Sequence, residues 1–184
     1  MLTNVLIVED DMAVREALGQ TLDLGGLHPT LAGSFVGAKD MIQADFNGVI
    51  LSDIRMPGRD GFYLLDYVRK VDADLPVILL TGEGDIPMAV QAMGAGAFDF
   101  LEKPCAPKDL MAALEKALAH RGLVLENRRL RAQLTAGDPA ARMIFGKSQA
   151  METLRATVRT IAGTATDVLV TGAPGTGVYK VAEV

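Results

Sequence analysis

Five short apolar runs, each followed by a stretch with helical spacing, constrain this chain more than any other feature. The runs are Val5–Val8, a weaker one near Pro29–Leu31, then Val49–Leu51, Val77–Leu80 and Phe98–Leu101. Most are continuously apolar rather than alternating, as strands buried on both faces must be. Val14, Ala17, Leu18, Leu22 and Leu24 mark the first helix. Ser34 is the expected N-cap of the second, with Phe35, Ala38, Met41 and Ile42 turned inward. Phe62, Leu64, Leu65 and Val68 mark the third and Ile86 to Met93 the fourth, while Pro107 suits the first position of a fifth. Repeated strand–helix alternation predicts an α/β fold: a doubly wound, five-stranded parallel sheet with right-handed crossovers and helices on both faces.

At 184 residues the chain is long enough for one domain with a full core plus a fragment of a second. One cysteine, Cys105, excludes an internal disulfide and fits a reducing compartment. The start, Met1 to Asp11, has no basic region and turns acidic at once, which excludes a signal peptide. No apolar run is long enough to span a bilayer, so the expected location is cytoplasmic, with no membrane partner. Charge is uneven. Residues 1–120 hold 9 Lys and Arg against 18 Asp and Glu, whereas residues 121–184 hold 9 against 5. An acidic first domain is a poor nucleic-acid binder. In the basic remainder, Arg121, Arg128, Arg129 and Arg131 read more simply as the solvated face of a helix than as phosphate contacts.

The fifth helix is expected to run on from Lys108 to Leu134, with Gly122 its one weak point. Met111, Leu114 and Leu118 give one apolar seam. Leu123, Asn127, Leu130 and Leu134 give a second at heptad spacing, with a polar Asn of the kind that fixes register between two helices. Two readings follow: a long helix capping the domain, or a coiled-coil contact making a homodimer. Thr135–Ala140 reads as a linker, followed by a helix near Gln149–Ile161, a buried-strand run Asp167–Val170 and the glycine-rich Gly172, Gly175 and Gly177. The expected organisation is a first domain over 1–120, a helical or coiled-coil linker over 121–145, and a partial α/β fragment over 146–184.

In an open parallel sheet, ligands bind beyond the carboxyl ends of the strands, where strand order reverses. Residues following each run therefore carry the argument. Glu9, Asp10 and Asp11 follow the first, Asp53 the third, Thr81 the fourth and Lys103 the fifth. Two carboxylates about 5 Å apart repel by roughly 3 kcal/mol at an effective dielectric near 20, so three on one edge call for a cation. Hard oxygen ligands with open positions suit Mg²⁺, which keeps waters and favours a phosphate partner. A carboxylate beside it can attack phosphorus to form an acyl phosphate. Lys103 and the Thr81 hydroxyl can neutralise and position the equatorial oxygens, and Gly82 leaves its N–H open to them. Asp11 has a second reading as the N-cap of the first helix.

Val8–Asp11, Ser52–Gly61, Thr81–Gly82 and Lys103–Pro104, in this order, resemble the receiver domains of two-component response regulators over roughly residues 3–120. The resemblance implies a flavodoxin-like receiver fold and a sensor histidine kinase as partner. By position it makes Asp53 the phosphoacceptor and gives Mg²⁺ to Glu9, Asp10, Asp53 and the Arg55 backbone carbonyl. It makes Thr81 the switch hydroxyl, Lys103 the phosphate partner and Phe100 the rotating aromatic, and it implies a cis Lys103–Pro104 bond. Residues 82–92, Gly96–Phe100 and Leu125–Leu130 further resemble the nitrogen-regulator subfamily, nearest to the C4-dicarboxylate transport regulators. There the receiver precedes a coiled linker and an AAA+ ATPase that activates sigma-N polymerase, and residues 146–172 resemble the start of that ATPase.

A working phosphate loop carries lysine directly after its last glycine. Here Gly177 is followed by Val178 and Tyr179 before Lys180, so Gly172, Gly175 and Gly177 read as remnants of a phosphate loop. The expectation is a truncated ATPase start that does not hydrolyse ATP or bind DNA. A dehalogenase-type phosphatase would share the Asp, Thr, Lys and Mg²⁺, but it needs a second acid two residues after the nucleophile, where this chain has Arg55.

Overall fold

The computed structural model describes residues 2–82, 86–136, 140, 143–162, 164, 167–173, 175–178 and 181. They form two compact units, Met1–Glu126 and Asn127–Val184.

The first unit alternates β1 (Asn4–Val8), α1 (Met12–Leu24), β2 (His28–Ala32), α2 (Phe35–Ala38), β3 (Gly48–Asp53), α3 (Gly61–Val71), β4 (Val77–Thr81), α4 (Ile86–Ala95), β5 (Asp99–Glu102) and α5 (Pro107–Ala136). The strands make one parallel sheet in the order β2-β1-β3-β4-β5, as the alternation predicts. Central β3 and β4 are buried along their whole length, and β1 is buried beyond Asn4. Proline and charge fall on the edges: Pro29 in β2, Asp99 and Glu102 in β5, where one ladder side has no strand to pair. Because successive residues point to opposite faces, β1, β3 and β4 supply two cores. Leu6, Val8, Ile50 and Leu79 pack with Phe35, Leu64, Leu65 and Val68 of α2 and α3. Val5, Ile7, Leu51, Ile78 and Leu80 pack with Leu22 of α1 and Leu110, Leu114 and Leu118 of α5.

Helix starts follow the cap chemistry. Asp11, Ser34 and Asp60 each accept a backbone N–H from the first turn of α1, α2 and α3. Several expectations need correction. Leu24 is 91% exposed, because it lies two residues from buried Leu22 and so faces the other way round the helix. The second helix is a single turn, continued as a 3-10 turn over Lys39–Met41. The fifth helix takes in Thr135 and Ala136, which the composition had assigned to a linker; Gly137, Asp138 and Pro139 lie outside the described residues.

The largest correction is Arg121. It is not on a solvated face but is fully buried. Its Nη1 pairs with Asp72 at 2.7 Å, its Nε donates to the Phe46 carbonyl at 3.0 Å and its Nη2 to the Ala44 carbonyl at 3.0 Å. Helical spacing cannot reveal this, since every partner is at least 49 residues away. The first unit thus extends past residue 120. Leu123 and Leu130 of the expected seam are exposed, while the side chain of Leu134 lies outside the described residues.

In the second unit, α6 (Gln149–Ala162) forms where helical spacing predicts it. Arg155 on α6 donates to the carbonyls of Ile144 and Gly146 at 2.8 and 2.9 Å. The run Asp167–Val170 is not a buried strand: no strand pairs with it among the described residues, and Val168 and Leu169 are exposed. An apolar run without a neighbouring strand has no ladder to join. Gly172, Gly175 and Gly177 line an open cleft of about 850 Å³ with Phe145, Met151 and Val170, and Lys180 lies outside the described residues. No described helix is long and apolar enough to cross a membrane.

Candidate functional site

Strand register decides which side chains meet. Val8 lies opposite Ser52, Asp53 opposite Leu80 and Thr81 opposite Glu102. Glu9, Asp53, Thr81 and Lys103 therefore all emerge at the carboxyl edge, beside the point between β1 and β3 where the order reverses. The chain can turn back here because position 61 is glycine. Its N–H donates to the Ile54 carbonyl at 2.9 Å, and a Cβ at that position would collide with the Asp53 carbonyl oxygen.

Lys103 is the hub. Its ammonium donates to Asp53 Oδ1 at 2.6 Å and to Glu9 Oε2 at 2.5 Å. Glu9 and Asp53 are buried, and the Lys103 side chain is only 22% exposed. Asp10 is exposed, yet it joins Glu9 and Asp53 in a group in which one carboxylate oxygen from each residue lies within 4.8 Å of the other two. Burial, followed by the charge of Asp53, pushes the Glu9 carboxyl above its usual range even though Lys103 opposes the shift. Burial also works against the Lys103 charge, but hydrogen bonds and attraction from Asp53 and Glu9 outweigh it and raise its pKa, so Lys103 stays an ammonium. Three carboxylates against one ammonium leave a formal charge of −2. An all-oxygen donor set, open through Asp10 and short of two positive charges, fits one small divalent cation that retains water.

The other expected residues are distributed around this hub. Asp11 caps α1, with Oδ1 accepting from Ala13 and Val14 at 2.8 and 3.1 Å, so its cap reading holds; its own N–H lies 3.4 Å from Glu9 Oε1. Thr81 is fully buried, and its hydroxyl donates to Met88 Sδ on α4 at 3.5 Å. Phe100, half-buried on β5, packs with Met88 against the same core. Arg55 is exposed in the loop after β3. The Lys103–Pro104 bond is cis, as the resemblance implies. His28 pairs with Thr3 and His120 lies against Phe98, so neither histidine joins the acids. Burial pushes the Cys105 thiol up, which makes it a poor nucleophile.

Two residues escape sequence reasoning. Met88 is one of several methionines that read alike. Arg15 is tied to the backbone of the acidic turn, and it did leave a signal: a cation within the first turn of a helix opposes the helix dipole.

Residues 5–115 match the family model described as response regulator receiver domain. The chain is 47% identical over 183 residues to the C4-dicarboxylate transport transcriptional regulatory protein DctD of Pseudomonas aeruginosa, covering 98% of this chain and 39% of that protein. Against the protein of the same name from Rhizobium meliloti it is 45% identical over 179 residues, covering 97% and 39%. The chain thus spans about two fifths of the length of these relatives. Among solved structures, the beryllofluoride-activated NtrC4 receiver domain dimer superposes with a TM-score of 0.61 at 32% identity, over 65% of this chain and 99% of that one.

Proposed function

This chain belongs to the response regulator receiver domain family, and from that premise we propose that Asp53 accepts a phosphoryl group from a sensor histidine kinase in a two-component phosphorelay. The observation that carries the proposal is the convergence of Glu9, Asp10 and Asp53 around Lys103 at one sheet edge.

Glu9, Asp10 and Asp53, with the Arg55 carbonyl, would hold Mg²⁺. When bound, the ion supplies charge neutralisation to the phosphoryl oxygens. An Asp53 carboxylate oxygen attacks phosphorus, the new P–O bond forms as the P–N bond to the donor imidazole breaks, and the nitrogen keeps the electron pair. Lys103, already 2.6 Å from Asp53 Oδ1, moves its ammonium from Glu9 toward the phosphoryl oxygens. Thr81 turns its hydroxyl from Met88 to the phosphoryl group, and Phe100 follows into the space it leaves. Phosphorylation is then a local charge change that biases a packed element with two arrangements.

The output proposed is transcription regulation, the role in the relatives' names, acting in the cytoplasm, with sigma-N activation the expectation carried by the nitrogen-regulator resemblance. The exposed Leu123 and Leu130 support a homodimer through the 108–134 helix, because an apolar stripe on a solvated helix gains by pairing. Lys180 stands three residues after Gly177 rather than directly after it, which supports a segment that does not hydrolyse ATP. Intact-mass analysis with acetyl phosphate and Mg²⁺ tests the central step. Wild type gains one phosphoryl group; Asp53→Asn or EDTA abolishes the gain, and a gain that survives both removes the proposal.

A further inference from the structure

We infer that Arg15 is a positioning residue for the cation site, acting on the backbone of the two acids that precede α1 rather than on their carboxylates. The inference rests on the phosphoacceptor reading above. Arg15 lies within the first turn of α1, and its side chain folds back against the chain direction. Its Nη1 donates to the Glu9 carbonyl at 2.6 Å and to the Asp10 carbonyl at 3.2 Å, while its backbone N–H donates to the Asp11 carbonyl at 2.9 Å. The side chain thus ties the first two residues of the acidic turn, while the bond to Asp11 is the first helical bond that any residue at this position would make.

The choice of acceptor matters. Among the described residues the Arg15 guanidinium pairs with no carboxylate. A cation beside three acids would ordinarily take one of them as partner and reduce the charge available to a metal. Bonded to carbonyls, Arg15 fixes the direction of the turn and leaves the Glu9 and Asp10 carboxylates free to face Asp53. The orientation has a cost, since a cation near a helix N-terminus opposes the dipole, and its persistence there fits a role outside helix stability.

A second, independent element makes room for it. The Glu9 N–H donates to the Ala32 carbonyl at 3.0 Å, which brings the β2–α2 turn against the acidic turn. At the next residue, Gly33, an added Cβ would sit 3.1 Å from Arg15 Nη1. That approach is tight enough to displace the guanidinium by a few tenths of an ångström without meeting any backbone. Position 33 therefore offers a way to move Arg15 without replacing it.

The test is Mg²⁺ titration with no phosphodonor present, followed by backbone amide NMR shifts of Glu9, Asp10 and Asp53 in the full chain. Arg15→Ala should raise the Mg²⁺ Kd about tenfold, the scale at which residues orienting metal ligands act. Arg15→Lys should recover part of the affinity, and Gly33→Ala should shift it the same way by less. Phosphorylation from acetyl phosphate should show the same split: a higher Mg²⁺ requirement for Arg15→Ala, with the rate at saturating Mg²⁺ approaching that of wild type. Unchanged urea midpoints would locate the effect in the site. If Arg15→Ala binds Mg²⁺ as wild type does while Asp53 is still phosphorylated, this inference fails and the phosphoacceptor reading stands. If wild-type Asp53 takes no phosphate, the reading beneath it fails.

Discussion

Removing the Arg121 guanidinium should be the most damaging single change outside the apolar core. Arg121→Ala leaves Asp72 buried, with its side chain 2% exposed and its cationic partner gone. It also leaves the Ala44 and Phe46 carbonyls without these donors. Breaking a buried ion pair from one side costs about 3–5 kcal/mol, because the remaining charge loses the cation that offset its desolvation. One contact softens the loss, since Asp72 Oδ1 still accepts from the Asp74 N–H at 2.9 Å. For a unit spanning Met1–Glu126, 1 kcal/mol moves Tm by about 3–4 °C, so the expected drop is roughly 10–20 °C. Urea unfolding followed by circular dichroism gives the free energy directly. Replacing both partners, as in Arg121→Met with Asp72→Leu, should recover most of the loss, because a well-packed apolar pair is often as stable as a buried ion pair. An Arg121→Ala loss below about 1 kcal/mol, or a double variant whose losses simply add, would refute the reasoning.

Other variants divide the roles of the site and the long helix. Asp10→Ala should weaken Mg²⁺ binding more than Asp11→Ala, whereas Asp11→Ala should cost about 1 kcal/mol of stability through its lost cap; equal losses in a Mg²⁺ titration reject this ranking. Thr81→Ala should still accept phosphate yet transmit less change to Ile86–Met93, and NMR shift changes there equal to wild type count against it. Leu130→Asp should turn a dimer into a monomer in sedimentation at micromolar concentration, and a wild-type chain that is already a monomer removes the pairing helix.

The sheet was legible because the signal is local. Continuous apolar runs of four or so residues, separated by capped helices, admit few topologies, and the site residues fall immediately after the runs. Lys103 could be placed beside Asp53 from topology alone, although 50 residues separate them. Arg121 and Asp72 could not, because neither lies at a strand end and a buried ion pair leaves no period in the sequence. The Asp167–Val170 run misled for a related reason: apolarity says that a segment seeks a partner, not that one is present. In α4 the same rule worked in reverse. Ile86, Val90 and Met93 keep helical spacing but face solvent, leaving an apolar surface on the element that Thr81 touches through Met88.

Chemical trapping of the acyl phosphate tests the central claim most directly. The 184-residue chain, treated with acetyl phosphate and Mg²⁺ and then reduced with borohydride, should yield homoserine at position 53 on peptide mapping, and untreated chain should yield aspartate there. Homoserine at Asp10 or Asp11, or phosphate retained on a residue that borohydride leaves untouched, would contradict the assignment of Asp53.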